Sequence, residues 1–259
     1  MLDPFLSHLI TDTRALALKY WRTGFEIETK PDKTLVTQAD REVEALIRAR
    51  IGAAFPNDGI WGEEYGTHAL TADRIWVIDP IDGTQAFVMG IPVFSTLIAL
   101  IVGGQVVQAV ADFPAMDMLA SAVRGQGACL NATPLHVSAC QDLGVANLTA
   151  TSITMFSGHE QAFDRLMRRA GQVRFGLDAY GFCAVARGRA DLVVEADLKP
   201  HDYLAPSLII AESGGVMTDW SGQPLNLESD GRVIAAASQA LHRQALDVLT
   251  PPNPGGARA

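Results

Sequence analysis

The sequence predicts a mixed α/β protein, part α+β and part α/β, on three observations. Apolar residues recur at helical spacing before Pro56, strand patterns crowd the stretch from Ile75 to Ser138, and strands alternate with helices after about residue 140. The expected organisation is an N-terminal α+β domain with an antiparallel sheet over residues 1–142 and a C-terminal α/β domain over residues 143–259.

In chain order, Asp3-Pro4 reads as an N-cap followed by proline at the first helical position, and Leu6, Leu9, Ile10, Thr13, Leu16, Ala17 and Tyr20 follow at helical spacing. Thr37 and Asp40 match a capping box that opens a second helix. Val43, Leu46, Ile47 and Ile51 form its apolar face, and Pro56-Asn57-Asp58-Gly59 ends it. Ile75-Trp76-Val77-Ile78 reads as a buried strand. Val93 to Val102 and Gln105 to Asp112 flank Gly103-Gly104, a hairpin signal, and Met118 to Val123 and Leu135 to Ser138 are further strand candidates around a Gly125-Gln126-Gly127 turn. Beyond them, strands are expected over residues 145–151, 190–195, 216–220 and 233–237, and helices over 160–170, 180–187, 202–213 and 238–249. The Pro/Gly-rich tail, Pro251 to Ala259, is expected to be disordered.

Composition narrows the function classes. The chain has 259 residues, 48% hydrophobic and 19% charged, enough for a core without disulfide support. A net charge of −9 argues against nucleic acid as a partner. Three cysteines without a CxxC argue for a reducing, cytoplasmic setting. No membrane partner is expected, since no apolar run reaches the ~18 residues of a span, and Met1 to Arg14 lacks the pattern of a signal peptide. There is no Gly-x-Ser-x-Gly elbow, no His-Glu-x-x-His and no zinc spacing. Trp21, Trp61, Trp76 and Trp220 read as core or pocket wall.

Asp79-Pro80-Ile81-Asp82-Gly83-Thr84 carries the chemistry. Two carboxylates three positions apart end a strand beside a turn, where they suit a hard cation. Asp79 can bridge two ions, Asp82 and Glu63 can complete separate shells, and the Ile81 carbonyl can add a ligand. Gly83-Thr84 would present backbone N–H groups to a phosphate. Each acid also has a plainer reading. Asp40 and Asp202 can be helix caps, Glu63-Glu64 a solvated loop, and Asp82-Gly83 only a turn.

Gly62-Glu63-Glu64, the Asp79 to Thr84 stretch and His201-Asp202, in that order, resemble the three signature regions of the inositol monophosphatase family. The resemblance runs from the first helix to about Leu249. It implies a layered αβαβα sandwich, usually a homodimer, that hydrolyses small phosphomonoesters with two to three magnesium ions. Carried over, Glu63, Asp79 and the Ile81 carbonyl match one metal site, Asp79, Asp82 and Asp202 a second, and Glu63 with Asp40 a weaker third. Thr84 with Asp40 matches the pair that positions or activates water, with Glu63 beside them. Asp82, Gly83, Thr84, Glu195 and Asp202 match the substrate-binding positions. Most of these metal ligands fall in the N-terminal half.

The stretch from Gln85 to Phe94, together with Leu192 to Glu195 and Leu198 to Asp202, looks more like the histidinol-phosphatase branch than the inositol branch. His201 stands where the inositol branch has tryptophan. Glu195 can contact sugar hydroxyls or an amino group, against a plainer reading as a strand-end charge in solvent. His201 reads equally as a pocket or a packing residue. Gln85 and Ile91 depart from the branch, which often carries lysine and arginine there. The leading expectation is a phosphatase of L-histidinol phosphate, with an inositol-1-monophosphatase as its rival and a catalytically silent scaffold as a reading of another class. If the carboxylates hold metal, Asp82→Asn lowers turnover by orders of magnitude while its circular dichroism matches the parent's; near-normal turnover would contradict the assignment.

Overall fold

A computed structural model describes residues 2–29 and 35–250. The tail expected to be disordered lies outside them. The chain begins with α1 (Pro4–Thr23), whose N-cap Asp3 accepts the Phe5 N–H at 2.8 Å. A short ribbon, β1 (Ile27–Thr29) with β2 (Leu35–Thr37), leads into α2 (Gln38–Ala54), where both halves of the Thr37/Asp40 capping box are formed. The predicted apolar stripes of both helices are the faces they bury, with Leu16 and Leu46 at the margins.

The larger sheet comprises β3 (Gly59–Gly62), β4 (Gly66–His68), β5 (Arg74–Asp82), β6 (Ser95–Val102), β7 (Gln105–Phe113), β8 (Met118–Val123), β9 (Gly127–Leu130) and β10 (Thr133–Pro134), with α3 (Thr84–Met89) between β5 and β6. Its order is β10-β9-β8-β7-β6-β5-β3-β4, antiparallel except for the parallel β3–β5 pair. The second half supplies β11 (Asn147–Ala150), α4 (Glu160–Met167), β12 (Gln172–Phe175), α5 (Ala179–Ala186), β13 (Leu192–Glu195), α6 (Pro200–Glu212), β14 (Val216–Asp219), β15 (Val233–Ala236) and α7 (Gln239–Leu249). Its five strands run in the order β12-β11-β13-β15-β14.

Three buried clusters show how these elements stack. Trp76, Ile78, Ile98 and Leu100 face α1 and α2. Their strand neighbours Ile75, Val77, Leu97 and Ala99 face the other way, onto α5 and α6 and, through them, Val193 and Ala235 of the smaller sheet. Leu192, Val194, Ile234 and Ala236 face α4 and α7. Helices, sheet, helices, sheet, helices: this is the five-layer αβαβα sandwich. It explains why β5 reads as an unbroken apolar run, since both its faces are covered. It also explains why α6 is apolar nearly all round, because it packs on β5 to β9 and on β14 and β15.

One predicted strand is not formed. Residues 135–138 are irregular, with the Leu135 N–H donating to Ala128 and the Val137 N–H to Ser213. On its side away from β7, β8 pairs with β9 instead, and the β9–β10 hairpin turns through Asn131 and Ala132, both at positive φ. Alanine is an unusual residue for that conformation, so the turn carries little sequence signal. The Gly125-Gln126-Gly127 turn forms as expected, its Gly125 and Gly127 N–H groups donating to the Glu212 carboxylate. Strands β1 to β4, β9, β10 and β12 are not among the expected strands; all are four residues or fewer, too short for a periodic pattern. Ile47 is wholly buried between α2 and the large sheet. Ile47→Ala should cost about 2–5 kcal/mol of unfolding free energy, measured by urea denaturation at unchanged m-value.

Candidate active site

The site assembles where β5 ends. Its ladder with β6 is irregular between Asp79 and Asp82, so the chain bulges there and frees the intervening carbonyls. The Pro80 carbonyl accepts the Thr96 hydroxyl at 2.8 Å, and the Ile81 carbonyl faces the Thr84 hydroxyl at 3.2 Å. Gly83 then turns the chain at φ 76° into α3.

Asp79, Asp82 and Asp202 offer oxygens within 4.8 Å of one another, and so do ligand atoms of Glu63, Asp79 and His201. Asp79 belongs to both groups, which suits a bridging role. It is buried, and its Oδ1 has no hydrogen-bond partner. Burial, then the charges of Glu63, Asp82, Asp202 and Asp40, push its pKa well above the ordinary carboxylate value. Burial and then Asp178 and Asp202 do the same to Asp82, although the Ala179 N–H at 2.9 Å and Ser95 hydroxyl at 3.2 Å donate to it. Asp202 is likewise raised by burial, with His201 opposing. A divalent cation removes the conflict, and a set of carboxylate oxygens with an unpartnered buried oxygen fits a hard one.

Asp40 and Asp202 each occupy the third residue of a helix. Asp40 Oδ2 accepts the Thr37 N–H at 2.8 Å, leaving Oδ1 to accept from the Thr84 hydroxyl at 3.2 Å. Asp202 Oδ2 accepts the Lys199 N–H at 2.6 Å, leaving Oδ1 at 3.5 Å from His201 Nε2. The expectation that Asp202 itself caps α6 needs correcting: Lys199 is the N-cap, and the helix begins at Pro200. Asp40 is wholly buried, and burial raises its pKa to about 6. His201 Nδ1 is buried without a partner.

Glu195 is not the solvent-exposed strand end of the plainer reading. It is 1% exposed. Its Oε1 accepts from the Thr151 N–H and hydroxyl at 2.7 and 2.9 Å, its Oε2 has no partner, and burial pushes its pKa up to about 8. Gln85 is exposed on α3, and Ile91 is exposed just beyond it.

The sequence reading missed Asp178. It precedes α5 at φ 46° and ψ −141°, a region that non-glycine residues avoid. A Cβ built on Gly83 would lie 3.1 Å from its carboxylate, so Asp178 stands directly over the turn after Asp82. Burial and then Asp202 raise its pKa to about 6. The only sequence signal is an acid ahead of a short helix, which reads as a cap; yet its side chain makes no capping bond. Among the described residues, no lysine or arginine pairs with Asp40, Asp79, Asp82, Asp178, Glu195 or Asp202.

A model of the inositol monophosphatase family matches residues 2–250. The chain belongs to that family. It is 38% identical to a histidinol-phosphatase of Chlorobaculum parvum over 90% of this chain and 91% of the relative. It is 35% identical to an inositol-1-monophosphatase of Rhizobium meliloti over 89% and 88% of the two chains. Its fold superimposes on an inositol monophosphatase from Zymomonas mobilis with a TM-score of 0.85 at 33% identity, covering 95% of this chain and 96% of the other. The enzyme class is therefore phosphomonoester hydrolase. No helix among the described residues is long and apolar enough to cross a membrane.

The Glu195 shift has a consequence for stability. Its folded pKa lies above its ordinary 4.5, so the folded metal-free protein binds more protons than the unfolded chain as pH rises from about 4.5 to about 8, and stability falls across that window. Glu195→Gln should lose less stability than the parent between those pH values, compared by chemical denaturation in chelator. Each pKa unit is worth about 1.4 kcal/mol.

Proposed function

We propose that this enzyme is a magnesium-dependent phosphatase of L-histidinol phosphate. The observation that carries the choice of ester is the pair of carboxylates that the metal sites do not need. Asp178 and Glu195 adjoin Asp82 and Asp202, Glu195 keeps an unpartnered oxygen, and no lysine or arginine pairs with either among the described residues. A leaving group that brings its own cation satisfies both. Histidinol phosphate carries an ammonium group on the carbon next to the phosphorylated one, close enough to reach acids beside the phosphate, and charge-assisted bonds of that kind are the stronger ones. The histidinol-phosphatase relatives, 35–38% identical, support the same choice. The inositol phosphatase reading keeps support from the Zymomonas mobilis structure, because a polyol can also donate hydroxyls to Glu195.

In this reading Glu63, Asp79, Asp82, Asp202 and the Ile81 carbonyl hold magnesium, which when bound supplies Lewis acidity and neutralises charge on the phosphoryl oxygens. The Thr84 hydroxyl, set between Asp40 Oδ1 and the Ile81 carbonyl, orients the attacking water and passes its proton toward Asp40. Backbone N–H groups of Gly83 and Thr84 hold the phosphate. Asp178 and Glu195 hold the leaving group's ammonium.

The deciding measurement is kcat/KM for histidinol phosphate beside inositol 1-phosphate, with chelator and then magnesium. Activity should vanish in chelator, return with magnesium and favour histidinol phosphate; a clear preference for inositol phosphate overturns the reading. Asp178→Asn should erode that preference by about tenfold or more, the scale of one charge-assisted bond.

A further inference from the structure

The turn that carries Glu63 is wrapped around a carboxylate from another element. Glu44 lies on α2 one turn beyond Asp40, and its side chain is fully buried. Its Oε2 accepts the Glu64 N–H at 2.6 Å and its Oε1 the Tyr65 N–H at 3.1 Å. Arg48, a further turn along, donates through Nε to the same Oε1 at 2.7 Å and through Nη2 to the Gly66 carbonyl. The N–H of Glu63 itself donates to the Ile78 carbonyl on β5 at 3.2 Å. Three successive backbone N–H groups are thus tied, one to the strand that bears Asp79 and two to Glu44. A Cβ on Gly62 would overlap Glu44 Oε1 and lie 2.8 Å from Arg48 Nη2, so glycine is what lets the backbone come this close.

Burying a carboxylate is costly even when it is paired, and a surface turn does not need one. A ligand that must hold an octahedral ion to tenths of an ångström does need a rigid support. We propose that Glu44 and Arg48 form a clasp that fixes Glu63 for metal binding, an inference that rests on reading Glu63 as a metal ligand. Neither residue touches metal or substrate; both are positioning residues. Because Asp40 and Glu44 share one face of α2, a single helix sets the register of the water-positioning acid and of the Glu63 turn.

The test is calorimetric titration of magnesium into metal-free protein, with hydrogen exchange of the Glu64 and Tyr65 amides. Glu44→Gln turns an acceptor oxygen into a donor that faces other donors. It should weaken magnesium binding ~10–100-fold, the usual scale for groups that support a ligand. It should also speed exchange at those two amides before any metal is added. At saturating magnesium its KM for the ester should match the parent's. Asp112→Asn breaks an equally buried carboxylate, the one bound by Arg14, which among the described residues makes no hydrogen bond to Glu63 or to the other site acids; it should lower the Tm without moving magnesium affinity. Should Glu44→Gln fail to fold, Arg48→Met keeps the carboxylate and should weaken binding by a smaller factor. Parent-like magnesium affinity in the folded Glu44→Gln or Arg48→Met protein overturns the clasp alone. Absence of magnesium binding by the parent overturns the metal reading and the clasp together.

Discussion

Crowding of carboxylates at the end of β5 is the constraint on which the rest of this structure depends. Asp40, Asp79, Asp82, Asp178, Glu195 and Asp202 come from five separate segments of the chain and converge near the end of β5. Each has its pKa raised, and burial is the largest cause at every one. Like charges at such spacing cannot all ionise unless cations join them. The folded chain without cations must therefore retain protons, and cations that bind only the folded state stabilise it by mass action. In the reading proposed, the same conflict gives the site affinity both for metal and for a cationic leaving group.

The five layers explain how so many acids reach one point. Strands β5 and β13 end there, and α2, α3, α5 and α6 begin there or close by. Helix N-termini carry partial positive charge, which offsets some of the repulsion. Asp40 and Asp202 show the economy of the arrangement. Each sits three residues into its helix and uses one oxygen to accept an N–H at the helix start, leaving the other for the site. Neither acid is the N-cap itself, and in the reading proposed the same side chain steadies the helix start and serves the site.

Much of this was legible beforehand because local chemistry and tertiary role agree. The stripe from Leu6 to Tyr20, the Thr37/Asp40 box and the Gly103-Gly104 hairpin each have their own local cause. The acids of the Asp79 to Thr84 stretch were legible because proline and glycine punctuate the strand around them. Residues 135–138 misled because an apolar pair resembles a strand, while the true hairpin turned on Asn131-Ala132, which lacks the glycine that usually marks such a turn. Asp178 and Glu44 were illegible for another reason. Nothing in their neighbours separates them from an ordinary cap and an ordinary helix-face glutamate.

The sequence by itself determined the helices with strong caps, the apolar strands of both sheets and the identity of the acids at β5 and α6. It could do so because period, capping and turn chemistry act over a few residues. Only the tertiary structure decided that Glu195 is buried, that Asp178 stands over Gly83 and that Glu44 holds the turn bearing Glu63. Those facts depend on layers folding together from distant parts of the chain, and burial and close approach across such distances leave no local mark.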